Sequence, residues 1–189
     1  MEKFSQEDSM ALITRMIATA KGNVGQGAFQ ILLWGWITVI ISLSHFLLIM
    51  FQVTEHPEFV WLLMIPTLVV SMVVGFKKGQ KATVRTPLDY IYKWTWFGFM
   101  ITFGIMYYFV FGTWELLSPI ILLLAGYATF LSGKIIKFKP MVYGGVSLWI
   151  WALVAYWVGP YYALLITSIA ITTGYIIPGT MLQRRRNEL

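Results

Sequence analysis

The sequence predicts an all-α fold: a polytopic membrane protein with six transmembrane helices arranged as three hairpins, preceded by a short amphipathic helix. Composition gives the class, because hydrophobic residues make up 58% of the 189-residue chain and charged residues only 12%. Soluble domains usually carry about 25% charged residues. The mean hydropathy is +0.72, so lipid must be the solvent for most of this chain.

The spans follow from charge-free runs, since a transmembrane helix needs about 20 mostly apolar residues. Barrel strands fit poorly, because they alternate polar and apolar residues over about 10 positions. The six predicted helices cover residues 28–51, 59–76, 94–112, 116–133, 141–158 and 161–182. They form a membrane domain over residues 28–182, between an N-terminal segment, 1–27, and a basic tail, 183–189.

Short connections predict that consecutive helices pair as hairpins. Residues 52–58, 113–115 and 159–160 join the two helices of each pair. Closely spaced aromatic residues also recur in each odd helix, as WGW, WFGF and WIW. A tandem triplication of one helical hairpin would explain this repeat.

Basic residues predict that both termini are cytoplasmic. All 14 Lys and Arg lie before the first helix, in the connections 77–93 and 134–140, or after the sixth helix. The other connections hold only acidic charges, at Glu55, Glu58 and Glu115. Basic loops stay cytoplasmic, and their side chains meet the anionic bilayer surface. The net charge of +6 therefore needs no nucleic-acid partner, and we predict none.

The N-terminal segment, 1–27, predicts a cytoplasmic amphipathic helix followed by a hinge. An apolar face with helical spacing runs along it. Its members are Met10, Ile13, Met16, Ile17 and Ala20. The helix either lies in the inner headgroup plane or docks a cytoplasmic partner through Met10, Ile13 and Ile17. The stretch GNVGQG, 22–27, predicts a flexible hinge into the first transmembrane helix.

A polar stripe on the first transmembrane helix is the candidate site inside the membrane. Thr38, Ser42 and His45 follow steps of four and three residues, which places them on one face. That face must lie against protein, because unsatisfied polar atoms in hydrocarbon are costly. Small and hydroxyl-bearing residues at such spacings usually serve helix packing. His45 is therefore interpreted either as a hydrogen-bonded packing residue or as part of a pore, a ligand site or a pH sensor.

Groups that carry out chemistry are scarce in this sequence. The six predicted spans contain no Asp, Glu, Lys or Arg, whereas ion-coupled transporters usually place such groups within the membrane. The chain has no cysteine, which excludes disulfides and thiolate metal sites. Glu55, His56 and Glu58 share a short loop, where adjacent residues rarely converge on one metal ion. We predict no catalytic residue, no metal site, no cofactor and no enzymatic activity.

Two stretches resemble a known group of proteins. LLWGW at 32–36, after the amphipathic helix, and GYIIPG at 174–179 are similar to segments of small membrane proteins from Bacteroidetes-type bacteria. The resemblance spans most of the chain. The group has no assigned activity, so the resemblance implies only a bacterial inner membrane.

Two functions from different classes remain as hypotheses. The first is a membrane-embedded interaction or regulatory subunit with a cytoplasmic or membrane protein partner. The second is a passive channel or small-solute transporter in which Thr38, Ser42 and His45 line the path. A six-span bundle of this size would need to form a homo-oligomer to enclose a wide pore.

Overall fold

The computed structural model describes the backbone of residues 6–81, 87–109 and 114–187, and the side chains of residues 28–77, 90–109 and 115–185. Every regular element within these ranges is a helix. The α-helices are α1 (Gln6–Met50), α2 (Met64–Lys81), α3 (Pro87–Phe109), α4 (Leu117–Ile135), α5 (Lys139–Val158), α6 (Pro160–Ile171) and α7 (Ile177–Asn187). Short 3-10 helices at Pro57–Leu63 and Trp114–Leu116 precede α2 and α4.

Five stretches of the described chain are long and apolar enough to cross a membrane. They are Ala28–Met50, Pro57–Lys77, Leu117–Ile135, Lys139–Val158 and Pro160–Arg185. Each overlaps one of the predicted spans. For the described residues, the prediction of an all-helical protein with several helices long and apolar enough to span a membrane is therefore confirmed.

The predicted span 94–112 is the one that is not among these five. The structure has a 23-residue helix there, α3 (Pro87–Phe109), while residues 110–113 lie outside the described chain. Trp and Tyr are frequent in α3. These side chains join a large apolar ring to a polar atom, so they contribute less to mean hydropathy than Leu or Ile.

The predicted hinge at 22–27 does not interrupt α1. The helix continues from Gln6 to Met50 over 45 residues. A glycine in a helix interior costs only about 1 kcal/mol relative to alanine, and this stretch has no proline that would remove a backbone hydrogen bond. The apolar stretch that begins at Ala28 therefore continues the same helix as the more polar residues before it.

The helices pack in a row whose centre is formed by α4, α5 and α6. α5 contacts α4 and α6, and α6 also contacts α1. At the two ends of the row, α2 packs against α1 and α3 packs against α4. The largest fully buried apolar side chains are Ile41, Leu122, Met141, Leu148 and Leu182. These side chains belong to α1, α4, α5 and α7, and the core also includes Ala163, Ala170 and Ile171 of α6. α2 and α3 flank this core.

Glycines let α4 and α5 approach each other closely. A Cβ atom built on Gly145 would lie 2.5 Å from the backbone nitrogen of Phe130, and one on Gly133 would lie 2.7 Å from that of Val142. A Schellman turn joins the two helices: Lys137 has a φ of 54°, and the Phe138 N–H donates to the Gly133 carbonyl at 2.9 Å.

The last predicted span contains a π-helical segment, Thr172–Ile176, between α6 and α7. The turn between α5 and α6 contains Gly159, whose φ of 80° is a conformation that favours glycine. A π-helical turn adds one residue to the helical repeat and so changes which side chains face the core. Here Gly174, Tyr175 and Ile176 are all buried.

Candidate functional site

The predicted polar stripe of α1 meets two different neighbours. Ser42 is 0% exposed, and its hydroxyl donates to the Leu164 carbonyl on α6 at 2.6 Å. His45, one turn further along, contacts the 3-10 helix that precedes α2. Thr38 is half-buried. The three side chains therefore do not converge on one common space.

His45 is held by a tryptophan. The indole Nε1 of Trp61 donates to His45 Nδ1 at 2.9 Å, and the two rings meet edge to face with centroids 6.3 Å apart. An indole nitrogen is only a donor, so this bond assigns Nδ1 as the acceptor and places the ring proton on Nε2. If Nδ1 also carried a proton, the indole N–H and the imidazole N–H would both be donors and could not bond to each other. The contact joins α1 to the start of the second predicted span.

A second polar contact joins the same two predicted spans near the other end of Ala28–Met50. Gln30 Nε2 donates to the Ser71 hydroxyl at 2.6 Å, and Trp34 Nε1 donates to the same oxygen at 3.3 Å. Sequence reasoning missed Gln30. The available signal was its spacing of four residues from Trp34, which puts both on one face.

A group of buried polar side chains lies where α3, α4 and the π-helical segment meet; we call it the inner polar cluster. On α4, Thr129 and Ser132 are 1% and 0% exposed. The Ser132 hydroxyl has no hydrogen-bond partner among the described residues, whereas that of Thr129 has the Tyr175 side chain beside it. Tyr175, from the π-helical segment, faces Thr129. On α3, the ring of Tyr92 lies 6.4 Å from that of Trp96, whose buried indole N–H also lacks a partner among the described residues.

This cluster is unusual in two respects. Hydroxyls inside helices commonly bond to the carbonyl one turn earlier, as Thr167 does with Ala163 at 2.7 Å. Buried polar atoms in general have partners. The sequence indicates Thr129 and Ser132, which share a face of α4. It does not indicate Tyr175, because its inward position depends on the π-helical segment.

In the loop trio at the other end of the molecule, one pair of side chains is within hydrogen-bond distance. His56 Nδ1 lies 3.0 Å from Glu58 Oε1, and both side chains are more than half exposed. Glu55 is also exposed. The pair is an open surface contact of the kind that contributes little to stability.

The predicted partner-docking face cannot be placed at the level of side chains. Met10, Ile13 and Ile17 belong to α1 by their backbone, but their side chains lie outside the described residues. Their spacing of three and four residues still puts them on one side of that helix.

Comparison with known proteins finds no match for this chain among protein-family models, curated proteins or solved structures. The function therefore has to follow from the chain's own residues.

Proposed function

We propose that the chain crosses a bacterial inner membrane six times, as three helical hairpins, with both termini in the cytoplasm. This count adds α3 to the five apolar stretches described above. Its 23 residues rise about 34 Å, enough to cross a hydrocarbon core of about 30 Å. Phe97, Met100 and Ile101 on α3 are about half exposed, which favours lipid as their environment.

We propose that this protein acts by contact, as a membrane-embedded interaction or regulatory subunit without enzymatic activity. The observation that carries the proposal is the continuity of α1. Its 45 residues correspond to about 68 Å of helix, more than twice the thickness of the hydrocarbon core. Residues 6–27 therefore extend about 33 Å beyond the span at helical rise.

Continuity also favours docking over a position in the headgroup plane. A helix that enters the membrane without a break has no joint at which to turn along the surface. The projecting part carries Met10, Ile13 and Ile17, an apolar face suited to a groove on a cytoplasmic partner. At the base of this projection Ile31 and Leu32 pack on Gly179 of α7, where an added Cβ atom would approach Leu32 to 2.9 Å.

Deletion of residues 1–20 tests this function. We expect the truncated chain to insert normally, because the topology signals lie at Lys21 and beyond. We also expect it to lose any cytoplasmic protein that copurifies with the full chain. A matched variant, Val24→Pro, keeps the docking face but breaks α1, at a cost of about 3 kcal/mol, and it should weaken the same copurification. Retention of the partner by the truncated chain would contradict the proposal.

A small-solute pathway is the second candidate, and the inner polar cluster is what favours it. The unpartnered Ser132 hydroxyl, with Thr129 and Tyr175 beside it, offers hydrogen bonds to a polar solute in an otherwise apolar bundle. A liposome flux assay separates the candidates. Flux that persists without residues 1–20 and falls in Thr129→Val or in changes at Thr38, Ser42 or His45 would favour the pathway.

A further inference from the structure

We propose that the groove between α3 and α4 binds one acyl chain of an anionic phospholipid from the inner leaflet, with the headgroup beside Lys134. The groove has a volume of about 510 Å³. The presence of lipid beside α3 and the choice of leaflet both rest on the six-span topology proposed above.

Small residues on α3 make the groove. Thr95, Gly98 and Thr102 line it on the α3 side, and a Cβ atom added to Gly98 would meet nothing within 4 Å. The α4 side consists of Leu124, Tyr127 and Leu131. Ile91 and Phe99 of α3 also line the groove, so its lining is largely apolar and suits a hydrocarbon chain.

The length of the groove matches one leaflet. Tyr90 and Thr102 mark its ends along α3, and twelve residues of helix rise about 18 Å. Half of a hydrocarbon core of about 30 Å is about 15 Å. The groove thus reaches from the headgroup level to about the middle of the bilayer.

The groove is wide enough for a hydrocarbon chain. Spread over that length, its volume gives a mean cross-section of about 28 Å², which accommodates a single flexible chain.

The end of the groove near Tyr90 has the chemistry of a headgroup site. Tyr90 and Trp94 are 65% and 49% exposed there, and such rings favour the interface. On α4, Lys134 continues the row of Tyr127 and Leu131 at steps of four and three residues. Lys134 is exposed and stands just beyond the groove, with its ammonium group 5.5 Å from the centre of the Phe130 ring. A basic side chain at the cytoplasmic surface attracts anionic lipid.

Native mass spectrometry of the purified full chain tests the site, with phosphatidylglycerol and phosphatidylcholine as probes. Gly98→Leu should fill the groove and weaken binding of the first lipid of either kind at least tenfold. Leu131→Trp fills the same space from α4 and should act alike. Lys134→Gln should lower the preference for phosphatidylglycerol over phosphatidylcholine about fivefold and leave the binding of phosphatidylcholine unchanged.

Gly104→Leu is the matched control. Gly104 is also on α3 and also has open space around it, but it does not line the groove. Its variant should bind lipid as the wild type does. Wild-type binding by both Gly98→Leu and Leu131→Trp would overturn the proposal, and so would conversion of a dimer to a monomer by those variants, which would identify a second copy as the occupant. Reporter fusions test the six-span topology separately, so a failure of lipid binding and a failure of the topology are distinguishable.

Discussion

At the scale of single residues, side-chain hydrogen bonds select which helices pair. Ser42 bonds to α6, Trp61 bonds to His45, and the Trp151 indole donates to Thr173 at 3.0 Å. Such bonds between membrane helices average about 0.6 kcal/mol. They are too weak to hold the bundle together, but a wrong pairing would leave each of these groups unsatisfied in hydrocarbon.

His45 provides a test at this scale. His45→Leu should leave the Trp61 indole N–H without an acceptor and lower the free energy of unfolding by about 1 kcal/mol. His45→Gln should retain most of the stability, because an amide oxygen can replace Nδ1 as the acceptor. Thermal or denaturant unfolding in detergent would measure both changes.

Trp61→Phe is the companion variant. If the bond is the reason for the loss, His45→Leu should cost much less in a Trp61→Phe background. None of these proteins should change conformation or conductance between pH 5 and 8, where a free imidazole titrates. A transition in that window, abolished by His45→Gln, would contradict the packing role.

The residue scale also shows what spacing can and cannot predict. Steps of three and four residues placed Thr38, Ser42 and His45 on one face of α1. The neighbours of that face depend on the order in which helices pack, and no local pattern encodes that order. In the inner polar cluster, spacing indicates Thr129 and Ser132 on α4, whereas Tyr175 points inward because of a π-helical segment.

At the scale of elements, glycines allow the close contact between α4 and α5. A glycine in that contact and a glycine on α3 with open space around it make a matched test. Gly145→Ala should destabilise the protein by about 1–3 kcal/mol, since its Cβ atom would lie 2.5 Å from a backbone atom of Phe130 and overpacking carries that cost. Gly104→Ala should stabilise by about 0.5–1 kcal/mol, because its Cβ atom meets nothing and alanine favours a helix.

Unfolding of both variants under the same conditions gives the comparison. Opposite signs would show that the α4–α5 contact, and not helix propensity, decides the effect at Gly145. Equal effects would mean that α4 and α5 are not in such close contact. The test is sharp because the substitution, the residue type and the helical context are the same at both positions.

At the scale of the whole molecule, the sequence predicted the helices better than their joints. Charge-free runs specify where helices cross lipid, because lipid leaves the backbone no other way to satisfy its hydrogen bonds. The glycine-rich stretch 22–27 lies inside the continuous helix α1, since glycine permits a bend without requiring one. The packing order, with α2 and α3 at the ends of the row, depends on contacts between distant parts of the chain.

The count of spans is the prediction with the widest consequence. If α3 crosses the membrane, reporter fusions after Glu58, Gly112 and Gly159 should be external, and fusions after Gln80 and Lys137 should be cytoplasmic. If α3 does not cross, every fusion beyond it inverts. Lys134, Lys137 and Lys139 would then be external, against the strong bias of basic residues toward the cytoplasm. A fusion after Lys137 that is external would therefore establish five spans. If the three lysines direct the topology, replacing them with Gln should make a fraction of the fusions after Lys137 external.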